Sequence, residues 1–72
     1  MPVRAKDFVR AAEHYGFQLV PGGKHNSKLV KPGARSYPIP SHNGLKDELG
    51  DEYVNAFCRQ NEIDREEFRR KL

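Results

Sequence analysis

The spacing of hydrophobic residues near the start of the chain is that of a helix. Four of them fall at positions i, i+1, i+4 and i+7, namely Phe8, Val9, Ala12 and Tyr15. This spacing puts them on one face of a helix over about residues 4–15. Gly16 follows where helices commonly end in a left-handed residue, and Phe17 can then fold back onto the last turn. We therefore predict a first helix that ends at Gly16.

Between residues 17 and 40 the hydrophobic spacing changes to two, which is typical of strands. Turn-forming residues interrupt this region twice, at Pro21-Gly22-Gly23 and at Lys31-Pro32-Gly33. Short strands separated by such turns favour hairpins. The simplest arrangement is a meander of three antiparallel strands.

The third of these strands is predicted to lie at an edge of the sheet. Pro38 and Pro40 lack N–H groups and are two residues apart, so both gaps fall on the same side of the strand. Residues 35–40 are therefore the outer strand. The register of the middle strand stays open, because the pattern alone does not decide whether Lys28 or Leu29 faces the core.

The last third of the chain returns to helical spacing. A second helix from Asp51 to about Asn61 would place three residues on one face: Val54, Phe57 and Cys58. Asp64, with Glu67 three residues later, is typical of a helix start, so a short helix over about residues 65–72 follows. The predicted fold is a single α+β domain over residues 1–72. Its order is α-β-β-β-α-α, and its helices pack on one face of a three-stranded antiparallel sheet.

Chain length and apolar content restrict the function classes. A chain of 72 residues builds one small core, which excludes multi-domain enzymes and dinucleotide-binding folds. The longest apolar runs are two or three residues, against roughly 18 for a membrane span. The single cysteine, Cys58, cannot form an internal disulfide and reads as a core residue. We therefore expect a cytoplasmic protein with no membrane contact, no metal and no small-molecule cofactor.

Charge is unevenly distributed along the chain. The overall net charge is only +3, but residues 1–46 hold eight basic and two acidic residues, and residues 47–72 hold five basic and eight acidic. A net +6 on the first segment favours an anionic ligand there, and a net −3 on the second favours solvent or a basic partner.

The candidate for chemistry in the basic segment is His25. It directly follows Lys24 at the end of a glycine-containing turn, and Lys28, Lys31 and Arg35 come soon after it. A histidine among cations can move protons near neutral pH while its neighbours bind phosphate. RNA carries its own nucleophile, the 2′-hydroxyl, so cleavage of RNA needs little more than this. A surface histidine beside a basic turn is the alternative interpretation.

From Phe8 to Phe68 the sequence resembles the HicA family of small bacterial toxins. The resemblance rests on the order and spacing of short motifs: Gly16-Phe17, Gly23-Lys24-His25, Ile39-Pro40-Ser41-His42, Leu49-Gly50 and Asp64-Arg65-Glu66-Glu67-Phe68. It implies a fold similar to a double-stranded-RNA-binding domain and an mRNA endonuclease that works without the ribosome. It also implies neutralisation by a HicB-like antitoxin.

The resemblance also implies roles for individual residues. The family's catalytic histidine lies in a Gly-Ser-His motif, which corresponds to Gly23-Lys24-His25, and a later Pro-x-His corresponds to Pro40-Ser41-His42. This chain departs from the pattern at Lys24, where the family more often has serine, so a charge replaces a hydroxyl. His25 is then the expected general acid/base, and four residues are expected to bind RNA: Lys24, Lys28, Lys31 and His42.

Two other functions remain open from the residues alone. The first is a non-catalytic RNA-binding module that uses the same basic face through shape and phosphate contacts. The second is a protein-interaction domain whose acidic C-terminal segment binds a basic partner. Loss of RNA cleavage in His25→Ala would separate the toxin from both.

Overall fold

The computed structural model describes residues 2–22, 26–41 and 44–72, which form a small α+β domain. Its elements run in the order β1 (Val3–Arg4), α1 (Ala5–Glu13), β2 (Gln18–Pro21), β3 (Asn26–Val30), β4 (Tyr37–Pro40), β5 (Glu48–Leu49), α2 (Asp51–Gln60) and α3 (Arg65–Arg70). The three helices and the three-stranded sheet were predicted. The two-residue strands β1 and β5 were not.

Helix α1 ends at Glu13, two residues earlier than predicted, but the left-handed turn at Gly16 that closes it is the predicted one. Gly16 has a φ of +92°, in the left-handed region that glycine adopts without strain. Its N–H donates to the carbonyl of Glu13 at 3.1 Å, and the N–H of Phe17 donates to the carbonyl of Ala12 at 3.3 Å. This pair of bonds satisfies carbonyls that the helix leaves without partners. The turn directs Phe17, which is only 2% exposed, back into the core.

The three long strands form an antiparallel sheet in the order β2-β3-β4. In the middle strand, Leu29 pairs with Leu19 on one side and with Tyr37 on the other. Leu29 is fully buried and Lys28 is exposed, which decides the register that the sequence left open. The core selects leucine because burying its side chain stabilises the fold by about 2 kcal/mol, whereas a buried unpaired lysine would be costly.

Strand β4 is the outer strand, as its prolines indicate. Pro38 and Pro40 alternate with Tyr37 and Ile39, so the positions without an N–H face away from β3. The carbonyl of Pro38 on that outer side accepts a hydrogen bond from the Tyr53 hydroxyl. This edge therefore offers little to another strand.

The core is an aromatic cluster between the sheet and the helices. The ring of Phe8 lies 4.9 Å from that of Phe57, 5.3 Å from that of Phe68 and 6.2 Å from that of Tyr37. All three helices contribute fully buried side chains, so they cover the same sheet face. Cys58 lies in this core at 2% exposure, and burial raises the pKa of its thiol, as expected for a packing residue.

The short strands β1 and β5 hold the start of α1. Val3 pairs with Leu49, and the N–H groups of Ala5 and Lys6 donate to the carbonyls of Asp47 and Leu45 at 2.8 and 3.1 Å. The N-terminal N–H groups of a helix need partners from outside it. In α1 these partners are backbone carbonyls, since the side chain of the N-cap residue Arg4 makes no hydrogen bond to them.

The two C-terminal helices meet at a tight junction. Glu62 follows α2 with a φ of +56°, and the N–H of Ile63 donates to the carbonyl of Cys58 at 2.8 Å. Asp64 then caps α3 by accepting a hydrogen bond from the N–H of Glu66 at 2.9 Å, which confirms the predicted helix start. No helix in the described part of the chain has both the length and the apolar character to cross a membrane.

Candidate nucleic-acid interface

The helices leave one face of the sheet uncovered, and Lys28 lies in its middle. Strand alternation puts Lys28 on the face opposite Leu29, directly between Val20 of β2 and Pro38 of β4. We call this surface the open face: Gln18, Val20, Asn26, Lys28, Val30, Pro38 and Pro40. Lys28 is exposed and forms no ion pair with a described residue. The open face is a partly apolar surface with one cation at its centre.

The two histidine motifs attach to the same end of this sheet. Lys24, His25 and His42 themselves lie outside the described residues. His25 is bonded to Asn26 and His42 to Ser41, however, and Asn26 pairs directly with Pro40. The polypeptide segments that carry the motifs therefore begin on neighbouring strands.

Hydrogen bonds fix this end of the sheet. The Ser27 hydroxyl donates to the Ser41 hydroxyl at 3.0 Å, which links the start of β3 to the end of β4. The N–H of Gly22 donates to the carbonyl of Asn26 at 3.2 Å, which continues the β2–β3 ladder beyond Pro21. A Cβ at Gly22 would lie 3.3 Å from the same carbonyl oxygen, so the backbone approach there is close. We call this part of the molecule the anchored end.

Lys31 does not lie at the anchored end, although it was predicted to bind RNA together with Lys24 and Lys28. It follows the last residue of β3, five positions along the strand from Asn26. Five strand residues span about 16 Å. Its ammonium lies 5.5 Å from the centre of the Phe17 ring, a cation–π distance. Lys31 therefore belongs to the opposite end of the sheet.

At that opposite end Lys31 and Arg35 line a cleft that the sequence did not predict. The cleft has a volume of about 520 Å³ and lies between the β3–β4 turn and the junction after α2. Its other wall includes Asn61, Glu62 and Ile63. The only sequence signal was the pair of cations flanking Pro32-Gly33-Ala34, and nothing in the pattern joined them to residues 60–63.

Two tyrosines link the outer strand β4 to α2. Burial raises the pKa of Tyr53 to about 12, with a further contribution from Tyr37, and burial also raises the pKa of Tyr37. Both phenols are hydrogen-bond donors and stay neutral at physiological pH, since Tyr37 donates to the Tyr53 carbonyl at 2.8 Å. Their hydrogen bonds hold β4 against α2.

Two further candidate chemistries can be addressed within residues 2–22, 26–41 and 44–72. No group of three histidine, cysteine, aspartate or glutamate side chains there has the geometry of a metal site. His14, the histidine that the structure does describe, is exposed at the end of α1. Within these ranges, Lys28 of the open face and Lys31 and Arg35 of the cleft are exposed cations suited to contact an anion.

Comparison of the chain with protein-family models, with curated proteins and with solved structures finds no match in any of the three.

Proposed function

We propose that the chain is a HicA-like endoribonuclease that cuts mRNA without the ribosome and without a metal ion. In this proposal the domain belongs to the double-stranded-RNA-binding-domain type, and it acts in the cytoplasm as a toxin. The observation that carries the proposal is the anchored end. The strand pairing of Asn26 with Pro40 and the bond between Ser27 and Ser41 hold the attachment points of both histidine motifs side by side.

His25 is the proposed general acid/base. It removes the proton from the ribose 2′-hydroxyl, whose oxygen attacks the adjacent phosphorus while the bond from phosphorus to the 5′-oxygen breaks. The protonated His25 then gives this proton to the leaving 5′-oxygen, and the products are a 2′,3′-cyclic phosphate and a 5′-hydroxyl. Lys24 offsets the charge that develops on the phosphoryl oxygens. Asn26, the residue that follows this motif in the chain, pairs with Pro40 in the sheet.

The open face supplies the grip on the RNA backbone. Lys28 is the third residue after His25, is exposed, and projects from the same sheet. An exposed lysine in the middle of this face suits contact with the phosphates of RNA, which position a protein on a nucleic acid. His42 is the proposed second contact at the anchored end, and Lys31 binds phosphates farther along the strand.

A HicB-like antitoxin is the proposed protein partner. Support for it comes from the motif resemblance alone, and it is the part of the proposal that a genetic observation tests best. A gene for a small HicB-like protein beside the gene for this chain is expected. Co-expression of the two proteins should restore growth that the chain alone arrests.

The test of the catalytic proposal compares the wild type with His25→Ala in bacteria, with growth and mRNA integrity measured after induction. The matched control is His14→Ala, since His14 is an exposed histidine on α1. We expect growth arrest and mRNA loss with the wild type and His14→Ala, and neither with His25→Ala. General acid/base catalysis contributes about 10²- to 10⁴-fold, so the loss should be nearly complete.

Two results would contradict the proposal. Equal growth arrest by the wild type and His25→Ala removes His25 from the mechanism. Salt-sensitive RNA binding that survives His25→Ala, without strand scission by either protein at any concentration, identifies a binding module instead.

A further inference from the structure

The cleft at the end of the sheet opposite the anchored end has two walls of opposite character. One wall is the β3–β4 turn, where Lys31 and Arg35 are exposed and neither forms an ion pair with a described residue. The other wall is the junction after α2, with Asn61 and Glu62. At about 520 Å³ the cleft falls within the range of about 300–1,000 Å³ that is usual for ligand sites.

The junction wall presents hydrogen-bond acceptors. The Asn61 amide nitrogen already donates to the carbonyl of Phe57 at 2.9 Å, which leaves its oxygen as the free end of the amide. Glu62 adds a carboxylate that forms no ion pair with a described residue. Donors on one wall and acceptors on the other call for a ligand that has an anion at one end and an N–H donor at the other.

Glu62 occupies a backbone position that suits glycine. Its φ is +56°, and its N–H donates to the carbonyl of Arg59 at 3.4 Å, in the same type of helix ending that Gly16 forms after α1. A glutamate costs more than a glycine in this conformation. Local strain of this kind is common where a side chain serves a function, and here the strained residue contributes the carboxylate of the cleft.

We propose that this cleft binds one nucleotide of single-stranded RNA, with the phosphate on Lys31 and Arg35 and an amino-bearing base on Glu62 and Asn61. The exocyclic amino groups of cytosine and adenine carry two N–H donors, one for each acceptor, whereas uracil presents a carbonyl at the corresponding position and has a single N–H on its ring. Half-buried Ala34 and Ile63 supply apolar surface for the base. This proposal rests on the proposed function, and it adds a preference against uridine at a nucleotide held about 16 Å from the anchored end.

The test uses short oligocytidylate and oligouridylate carrying 2′-O-methyl groups, so that the ribose oxygen cannot attack and only binding is measured. We expect the cytidylate to bind about five- to tenfold more tightly, since one lost base contact is worth about that much. Glu62→Gly should abolish the preference while keeping the fold, because glycine relaxes at this φ. The preference ratio is measured within each protein and controls for differences in protein quality.

The phosphate contact is tested separately. Arg35→Gln should weaken binding of both oligonucleotides and lower the slope of log affinity against log salt by about 0.7, the contribution of one phosphate on a single strand. The matched control is Arg70→Gln on α3, an exposed arginine that does not line the cleft. We expect this control to bind like the wild type.

Equal affinity of the wild type for the two oligonucleotides overturns the proposal, as does an Arg35→Gln variant that binds like Arg70→Gln. Binding of neither oligonucleotide also overturns it, and leaves an acidic protein as the ligand class that suits the two cations. The outcome is separable from that of the proposed function. RNA cleavage that persists with no base preference removes the cleft alone, whereas a base preference without cleavage removes the catalytic proposal alone.

Discussion

The hydrogen bond between Ser27 and Ser41 offers a direct probe of the anchored end. We consider the single variants Ser27→Ala and Ser41→Ala and the double variant, because a double-mutant cycle isolates the coupling between the two hydroxyls. The cycle is needed here since Ser41 makes a further interaction in addition to this bond. Ser36→Ala, an exposed serine before β4, is the matched control.

The expected coupling follows from the geometry of the bond. It joins two neutral hydroxyls at 3.0 Å in a partly buried position, so its net contribution is about 1 kcal/mol. A domain of this size has a free energy of unfolding of about 4–11 kcal/mol, so each variant remains folded. If the bond also positions the two histidine motifs, the single and double variants should lose RNA cleavage by similar factors of about three to ten. A misplacement well below 1 Å suffices for such a loss.

Urea unfolding followed by circular dichroism measures the coupling, and the cleavage rate of a short RNA under single-turnover conditions measures the functional effect. We expect a coupling of about 0.5–1.5 kcal/mol and no change of either quantity in Ser36→Ala. A coupling indistinguishable from zero would refute the view that this bond holds β3 to β4. Coupling in stability with unchanged cleavage would show that the bond is structural and that catalysis does not depend on it.

Three further predictions concern stability. Tyr53→Phe removes the hydroxyl that donates to the carbonyl of Pro38. Because the pKa of Tyr53 is raised to about 12, the stabilising effect of this hydroxyl is complete below pH 10 and is lost between pH 10 and 12. Urea titrations should therefore show that the variant loses about 1 kcal/mol less stability than the wild type over that window, and an equal loss in both proteins would contradict the assignment. Gly16→Ala should lower the free energy of unfolding by about 1 kcal/mol because φ is +92° there. Urea unfolding measures the change, and an unchanged free energy would contradict the account of the α1 ending. Phe57→Ala empties the centre of the aromatic cluster and should cost about 3–5 kcal/mol, measured by thermal unfolding; a loss under 1 kcal/mol would mean that the core is elsewhere.

Most of the fold can be predicted from local signals in the sequence. The Gly16-Phe17 helix ending and the Pro38–Pro40 outer strand each depend on one strong local rule, and the structure agrees with both. The register of β3 depends instead on competition between Lys28 and Leu29 for a core that does not exist until the sheet and helices meet. It could not be read from the alternation alone.

Other features were missed because no local signal encodes them. Strands β1 and β5 have two residues each, too few to show a period, and they form because the N–H groups at the start of α1 need carbonyls. The predicted end of α2 lies within a residue of the observed one. The left-handed residue that follows it could not be predicted, because it is Glu62 and not a glycine.

In the candidate site, too, contacts between residues far apart in sequence could not be predicted. The proximity of Lys31 to His25 in sequence suggested one cluster, yet an extended strand separates residues by about 3.3 Å each and carries Lys31 to the other end of the sheet. The cleft is lined by both Arg35 and Glu62, and residues so far apart in sequence come to one cleft through the packing of α2 against the sheet, not through their spacing.

The most direct test of the central claim is the dependence of cleavage on the ribose 2′-hydroxyl. Purified protein, in buffer with a metal chelator, is incubated with a mixed-sequence RNA and with the same RNA carrying 2′-O-methyl groups throughout. If His25 deprotonates the 2′-hydroxyl, the first RNA is cut to fragments that end in 2′,3′-cyclic phosphates and the second stays intact. Cleavage of both RNAs, or of neither, would contradict the account.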